Sequence, residues 1–177
     1  MEANSDNETG EQAGSSGLGS KLKPTLPDLG ERRKMISTKP ILVAEDSADD
    51  RFFYDRAFRK HGHTFHLVEN GAAAKSYLEA LFRDPANLGE RIPWLFLTDL
   101  KMPIMDGFDV LHWRYSHPIA IQIPTVVISS SNLDEDVSAA YALRANAFLQ
   151  KPARLGEFMT LVGTTVEFWQ LVEIGRN

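Results

Sequence analysis

The sequence predicts an α/β protein in which five strands alternate with five helices and form a doubly wound parallel sheet. Two short apolar runs, residues 40–44 and 94–97, are typical of strands that are covered on both faces of such a sheet. Amphipathic segments with short links separate the strands, which is the pattern of a parallel sheet with helices on both faces. Right-handed crossovers then favour the strand order 2-1-3-4-5, the flavodoxin-like (βα)5 arrangement.

The first two strand–helix pairs are predicted from residue 40 onward. The first strand is residues 40–44, and Asp49 opens an amphipathic helix that runs to about residue 61. Residues 64–68 form the second strand, and Asn70 is placed to cap a helix that runs to about residue 82. The residues expected on the buried side of the first helix are Phe52, Phe53, Ala57 and Phe58.

The other three pairs follow a loop at residues 84–91. The third strand ends abruptly at Asp99, and a short helix follows it. Either Asn132 or Asp134 is expected to cap the fourth helix. The predicted elements are a helix at 108–115, a strand at 123–128, a helix to about 144, a strand at 146–150 and a last helix at 155–172.

The chain has 177 residues, which corresponds to one domain and an extension. Residues 1–38 are rich in small and polar side chains and are predicted to be a disordered tail, because they bury too little apolar surface to offset chain entropy. A solvated linker is favoured for this tail over a docking segment. The folded domain is placed at residues 39–172, and residues 173–177 are a short C-terminal tail.

Composition excludes several classes of function. The formal net charge is −5, which argues against nucleic acid or an anionic membrane as a partner. The chain has no cysteine, so disulfides and thiol chemistry are excluded. No apolar run approaches the ~18 residues of a membrane span, and the N-terminus lacks a signal-peptide core. We therefore expect a cytoplasmic protein.

Polar side chains follow four strands at the edge where the strands end. The first strand leads to Glu45 and Asp46, the third to Asp99, the fourth to Ser129, and the fifth to Lys151. In the order 2-1-3-4-5 these four strands are neighbours, so the groups converge. Carboxylates ~4 Å apart repel by several kcal/mol at an effective dielectric near ~20, and such a cluster needs a cation. Oxygen ligands favour Mg²⁺.

A metal ion, an ammonium and a hydroxyl around one carboxylate are what phosphoryl transfer needs, because they neutralise the oxygens of the transferred group. Asp99 is then expected to be the nucleophile and to form an aspartyl phosphate.

These residues resemble the signature of the response regulator receiver domain of two-component systems. The likeness covers about residues 38–172. It rests on Glu45-Asp46, Thr98-Asp99, Met102-Pro103 to Asp106-Gly107, Ser129, Phe148 and Lys151-Pro152.

The resemblance implies a role for each of these residues. Asp99 is the phosphoacceptor, and Lys151 is the partner of the phosphate. Ser129 is the switch hydroxyl and Phe148 the switch aromatic, and the peptide bond before Pro152 is cis. The implied ligands of Mg²⁺, the one cofactor expected, are Glu45, Asp46, Asp99 and the backbone carbonyl of Lys101.

The resemblance also implies partners and a mode of action. A sensor histidine kinase or a phosphotransfer protein donates the phosphoryl group, and the face of the fourth helix, fifth strand and fifth helix then reorganises. The protein is not an enzyme in the ordinary sense, since it catalyses only its own phosphorylation and dephosphorylation. The segments 134–137, 146–148 and 167–169 resemble stand-alone regulators that partner phytochrome-type histidine kinases. Because the chain ends just after the fifth helix, we expect no output domain.

The last helix is apolar on two sides. Phe158, Val162 and Val166 lie on one side, and Leu161 and Phe168 lie on the other. The second side either packs in the core or contacts a second copy of the chain, giving a homodimer through the fourth helix, fifth strand and fifth helix.

Two rival functions were weighed. A phosphatase of the haloacid-dehalogenase kind also uses a strand-end Asp with Mg²⁺, but it needs a second Asp two residues later, where this chain has Lys101. The alternative is an interaction module with a receiver fold that works without phosphorylation. The joint presence of the acidic residues, Ser129 and Lys151 argues against it.

Overall fold

The computed structural model describes residues 38–84, 89 and 91–172. Five parallel strands form one sheet in the order β2-β1-β3-β4-β5, which confirms the predicted fold class. The predicted tails, 1–38 and 173–177, lie outside the described residues except for Thr38. The strands are β1 (Ile41–Ala44), β2 (Phe65–Val68), β3 (Leu95–Thr98), β4 (Thr125–Ser129) and β5 (Ala147–Gln150).

Five α-helices alternate with the strands, and a short 3-10 helix, Ala120–Gln122, precedes β4. Within the described ranges, no helix is long and apolar enough to cross a membrane. The helices are α1 (Ala48–His61), α2 (Gly71–Phe82), α3 (Gly107–Ser116), α4 (Asp134–Ala142) and α5 (Leu155–Leu171).

The core lies on both faces of the sheet, because every residue of β1, β3 and β4 is buried. Alternate strand residues point to opposite faces. On one face, Ile41 and Leu97 pack with Phe58 of α1 and Val162 of α5. The other face packs against α2, α3 and α4 in two clusters. Burial on both faces accounts for the absence of polar alternation in these strands.

The ends of the first helices are set by local chemistry. The hydroxyl of Ser47 accepts a hydrogen bond from the backbone N–H of Asp50 and caps α1. Gly62 ends the same helix in the left-handed conformation, with φ of 71°. The prediction that Asn70 caps α2 is confirmed, since its side chain accepts from the N–H of Ala73.

Two local predictions are wrong. Phe52 is expected on the buried side of the first helix, but it is 59% exposed, because the helix buries the side of Tyr54, and Phe52 lies about 200° around the helix from Tyr54. The fourth helix follows Leu133 and has no side-chain cap from Asn132 or Asp134. The hydroxyl of Ser131 holds this end of the helix, as described below.

Helix α5 packs one side against the sheet. Phe158, Val162 and Val166 are buried, while Phe168 on the other side is 59% exposed. Core packing therefore accounts for only one of the two apolar sides. Leu161 is partly buried against the first core cluster, which further limits the free surface to the C-terminal half of the helix.

Arg114 of α3 is buried near the start of β4, at the edge of the sheet opposite the carboxyl ends of the strands. Its guanidinium donates to the carbonyls of Ile121 (3.1 Å) and Ile123 (3.3 Å), and also to that of Arg144 after α4. Burial lowers the pKa of Arg114 to about 10. The side chain thereby ties α3, the start of β4 and the α4–β5 turn together.

Candidate functional site

The register of the sheet brings the predicted polar groups together. Ala44 pairs with Thr98, so Glu45 and Asp99 leave neighbouring strands side by side. Ser129 pairs with Gln150, so Lys151 follows immediately beside the end of β4. The N–H of Lys151 donates to the carbonyl of Ser129 (2.8 Å), which continues the pairing past the strand end.

The ammonium of Lys151 lies at the centre of the site. Its Nζ is 2.7 Å from Oε2 of Glu45, 2.7 Å from Oδ2 of Asp99 and 2.9 Å from Oδ2 of Asp50. Glu45 and Asp99 are both buried, and Lys151 is nearly so. Charged groups removed from water in this way interact more strongly than surface ion pairs do.

The second oxygen of the Asp99 carboxylate is held by backbone amides. Oδ1 accepts from the N–H of Leu100 (2.6 Å) and from the N–H of Lys101 (3.4 Å). The carboxylate is therefore fixed on both sides, by amides at one oxygen and by an ammonium at the other.

Burial and the neighbouring charges shift the pKa values of Glu45 and Lys151. Burial raises the pKa of Glu45 to about 7, although Lys151 opposes the shift and Asp99 and Asp50 add to it. Burial alone would lower the pKa of Lys151, but the carboxylates of Glu45 and Asp99 outweigh it and the pKa is raised. Lys151 is thus held as a cation, while Glu45 is easily protonated.

Three carboxylates are close enough to share a metal ion. Oxygens of Glu45, Asp46 and Asp99 all lie within 4.8 Å of one another, and this is the one such group in the part of the chain that the structure describes. Asp46 is exposed, which leaves the site open to solvent. Three carboxylate oxygens with one side open to water fit Mg²⁺, which prefers oxygen ligands and keeps several waters.

Two residues of the site were missed in the sequence. Asp50 lies in the first turn of α1, where the helix dipole is enough to explain an acid, yet it contacts Lys151. Arg51 donates to the carbonyls of Glu45 (2.8 Å) and Asp46 (2.7 Å) and so holds the loop that carries both. One signal for Asp50 was available in the sequence. Asp50 lies four residues after Asp46, at the start of a helix that follows a strand of the site.

The predicted switch residues lie beside the site and near α4. Ser129 is fully buried at the end of β4. Phe148 is partly buried and packs against the core cluster between α3 and α4. Its backbone N–H donates to the hydroxyl of Tyr141 (3.3 Å), which links β5 to α4. The hydroxyl of Ser131 donates to Asp136 and holds the first turn of α4 next to the site.

The implied cis peptide bond before Pro152 is wrong. None of the peptide bonds in the described ranges is cis. Lys151 reaches Glu45, Asp50 and Asp99 with a trans bond, so the contacts of its ammonium do not need the other isomer.

The loop after Asp99 contains a tight turn. Ile104 has a φ of 70°, and the N–H of Met105 donates to the carbonyl of Pro103 (2.8 Å) across it. A β-branched residue in this conformation is strained. The carbonyl of Met105 accepts from the N–H of Gly71 (3.0 Å), so α2 holds the strained turn in place.

The fold and the site together define a class of protein: a doubly wound domain with an acidic pocket and a fixed lysine at the carboxyl edge of its sheet. Comparison with known proteins identifies this class. The family model for the response regulator receiver domain matches residues 41–163. The chain belongs to this family, as the sequence predicted.

Three relatives illustrate the match. The probable methanogenesis regulatory protein FilR2 of Methanothrix harundinacea is 31% identical over 73% of this chain and 82% of its own length. The response regulator Rcp1 of Synechocystis is 30% identical over 74% of this chain and 88% of its own. The crystal structure of the phosphorylated cyanobacterial phytochrome response regulator RcpA has a TM-score of 0.66 and 30% identity, covering 76% of this chain and 94% of that one.

A structure of the Mn²⁺-bound form of Rcp1 is also similar, with a TM-score of 0.68 and 29% identity over 78% of this chain and 99% of that one. The predicted likeness to regulators of the phytochrome type is confirmed by these relatives. The match to Rcp1 and RcpA spans most of their length, so the likeness concerns the whole receiver fold and not a fragment of it.

Proposed function

We propose that the protein is a single-domain response regulator of a two-component phosphorelay, and that Asp99 accepts a phosphoryl group from a sensor histidine kinase or a phosphotransfer protein. The observation that carries the proposal is the Lys151 ammonium, 2.7 Å from both Asp99 and Glu45 at the edge of the sheet. It supplies positive charge where the oxygens of a phosphoryl group on Asp99 would lie.

In the transfer step, a carboxylate oxygen of Asp99 forms a bond to phosphorus, and the bond between phosphorus and the imidazole nitrogen of the donor breaks. The electron pair of that bond stays with the imidazole. The amides of Leu100 and Lys101 hold the carboxylate in a fixed direction during the attack. Lys151 compensates the negative charge that the phosphoryl group brings to the site.

Mg²⁺ bound by Glu45, Asp46, Asp99 and the backbone carbonyl of Lys101 would supply further positive charge for the phosphoryl oxygens. The grouping of three carboxylates within 4.8 Å supports this assignment. The Mn²⁺-bound form of Rcp1 supports a divalent cation as the cofactor. No other cofactor is part of the proposal.

The negative charge that the phosphoryl group adds at Asp99 causes the switch. The Ser129 hydroxyl turns toward the phosphoryl group, and Phe148 fills the space that it leaves. The contact of Phe148 with Tyr141 passes the change to α4, and the face of α4, β5 and α5 reorganises. The proposal includes a homodimer through this face, a cytoplasmic location, and chemistry limited to self-catalysed phosphorylation and dephosphorylation.

The partner kinase is proposed to be of the phytochrome type. RcpA, which is described as a cyanobacterial phytochrome response regulator, is 30% identical to this chain over the aligned residues. The match to 88% of Rcp1 supports a regulator built of a single receiver domain.

Phosphorylation of Asp99 is testable with the protein alone. Incubation with acetyl phosphate and Mg²⁺, followed by intact mass measurement, is expected to add one phosphoryl group to the wild type and none to Asp99→Asn. Asp49→Asn removes an exposed acid of α1 and is the matched control, which is expected to behave as wild type. Labelled phosphate followed from candidate histidine kinases to Asp99 then identifies the donor.

An Asp99→Asn variant that gains the group at the wild-type rate would falsify the assignment. A wild type that neither gains the group nor binds beryllofluoride, a mimic of phosphoryl, with Mg²⁺ would instead favour the interaction module that works without phosphorylation.

A further inference from the structure

Asp50 is a carboxylate of the site that the proposed function does not use. It lies in the first turn of α1, and its Oδ2 is 2.9 Å from the Nζ of Lys151. It is not a member of the carboxylate group placed to share a metal ion. Its backbone N–H donates to the cap residue Ser47, so the rigid start of the helix fixes its position.

Lys151 uses all of its hydrogen-bond donors on carboxylates. An ammonium has three N–H donors and no acceptor, and the three partners of Lys151 are Glu45, Asp50 and Asp99. Two of these partners change their role when the site is loaded, because Glu45 binds the metal and Asp99 carries the phosphoryl group. Asp50 is the partner that remains.

We propose that Asp50 is a positioning residue, which holds the ammonium of Lys151 against the phosphoryl group on Asp99. The inference rests on the proposed function, since it concerns the loaded state of the same site. Asp50 and Lys151 are 27% and 10% exposed, so solvent screens their ion pair less than it screens a surface pair.

Asp50 has two effects on a bound phosphoryl group, and they have opposite signs. Its negative charge repels the phosphoryl oxygens, so removing the charge alone strengthens binding. Its contact with Lys151 aims the ammonium at the same oxygens, so removing the contact weakens binding. The sign of the change in affinity therefore distinguishes positioning from simple repulsion.

The test is a double-mutant cycle with beryllofluoride at saturating Mg²⁺, with affinity measured by calorimetry and by the fluorine-19 signal of the bound mimic. Asp50→Asn is expected to weaken binding about tenfold, because a neutral amide oxygen holds the ammonium less strongly than a carboxylate in a charge-assisted hydrogen bond. Asp49→Asn, which removes an equal charge from the same turn, is the matched control and is expected to stay within about twofold of wild type.

The cycle is completed in the background Lys151→Ala. If Asp50 acts through the lysine, Asp50→Asn changes the affinity by less than about twofold in this background. A second measurement does not depend on binding by the Lys151→Ala variant. The ammonium protons of Lys151 in the beryllofluoride complex are expected to exchange slowly with solvent in wild type and Asp49→Asn, and rapidly in Asp50→Asn.

The outcomes separate this inference from the proposed function. Unchanged or tighter binding by Asp50→Asn, or an equal loss in both backgrounds, overturns the positioning role and leaves the proposed function intact. A wild type that does not bind the mimic at all overturns the proposed function, and the role of Asp50 with it.

Discussion

At the scale of single residues, burial changes the acidity of Glu45, a proposed ligand of Mg²⁺. It is buried at the end of β1, and its pKa is raised to about 7, first by burial. Below that pH a proton occupies the carboxylate. Binding of Mg²⁺ has to displace the proton, so metal binding and proton release are linked.

The affinity for Mg²⁺ is therefore expected to fall by about tenfold from pH 8 to pH 6, as the Glu45 carboxylate with a pKa of about 7 becomes protonated. Calorimetry in buffers of different ionisation enthalpy is expected to detect release of about 0.9 proton per Mg²⁺ at pH 6 and about 0.1 at pH 8. In Glu45→Gln any residual binding should release none. Binding at pH 6 without proton release in the wild type would contradict the linkage.

The sequence predicted the strand-end residues of the site but not those supplied by a helix. Glu45, Asp99 and Lys151 follow strands, and the strand order places all three at the same edge of the sheet. Asp50 and Arg51 belong to the first turn of α1. Acids are common there because of the helix dipole, so the sequence had an adequate other explanation for Asp50.

At the scale of elements, the start of α3 approaches the strand that carries Asp99 more closely than a side chain allows. A Cβ at Gly107 would lie 2.2 Å from the carbonyl oxygen of Asp99 and 2.7 Å from the Cα of Leu100. The N–H of Gly107 donates to the carbonyl of Leu100 (2.8 Å). Glycine is therefore required for this contact, and the contact holds the backbone at Asp99 and Leu100.

Gly107→Ala is expected to lower the free energy of unfolding by about 1–3 kcal/mol, since overpacking forces backbone shifts, and also to weaken beryllofluoride binding. Gly163→Ala in α5 is the matched control. Its Cβ meets only Nε2 of His61 at 3.7 Å, and alanine should stabilise the helix by about 0.5–1 kcal/mol. Urea denaturation measures the free energy of unfolding of both variants. Equal effects of the two substitutions would argue against the close approach at Gly107.

The elements themselves were predictable because the three central strands are buried on both faces and the helices bury one side against the sheet. The two wrong local predictions concern places where contacts in the folded chain, and not the local sequence pattern, determine the structure. Phe52 is apolar, but the helix turns Tyr54 and Phe58 toward the core and leaves Phe52 exposed. The first turn of helix α4 is held by the Ser131 hydroxyl, which donates to Asp136. The two predicted capping residues, Asn132 and Asp134, make no such contact.

At the scale of the whole molecule, the apolar surface left on α5 bears on assembly. Phe168 is 59% exposed and Leu171 is 47% exposed, while Tyr141 on α4 is 49% exposed. Exposed apolar side chains on the proposed switch face are consistent with a partner, and the proposal assigns a second copy of the chain.

Sedimentation equilibrium is expected to detect a shift from monomer toward dimer when beryllofluoride and Mg²⁺ are added. Phe168→Ser should reduce the shift, because it removes apolar surface from the proposed interface. Phe52→Ser is the matched control, since Phe52 is also 59% exposed but lies on α1. A wild type that stays monomeric with and without the mimic would rule the dimer out.

The strand order of the molecule was predictable in full, because short right-handed crossovers leave few alternatives. The burial of Arg114, at the edge of the sheet opposite the site, was not predictable. Nothing in the sequence around Arg114 distinguishes it from an exposed arginine on an amphipathic helix. Its burial follows from the three carbonyls that converge there in the folded chain.

That buried guanidinium has a mechanical consequence for α4. Arg114 bonds the carbonyl of Arg144, so the far end of the helix is anchored to α3. The near end is held by the hydroxyl of Ser131, which donates to Asp136 beside the edge of the sheet that carries the site. Helix α4 is thus fixed at both ends. Loss of the Ser131 contact would free the near end alone, because Arg114 continues to hold the far end.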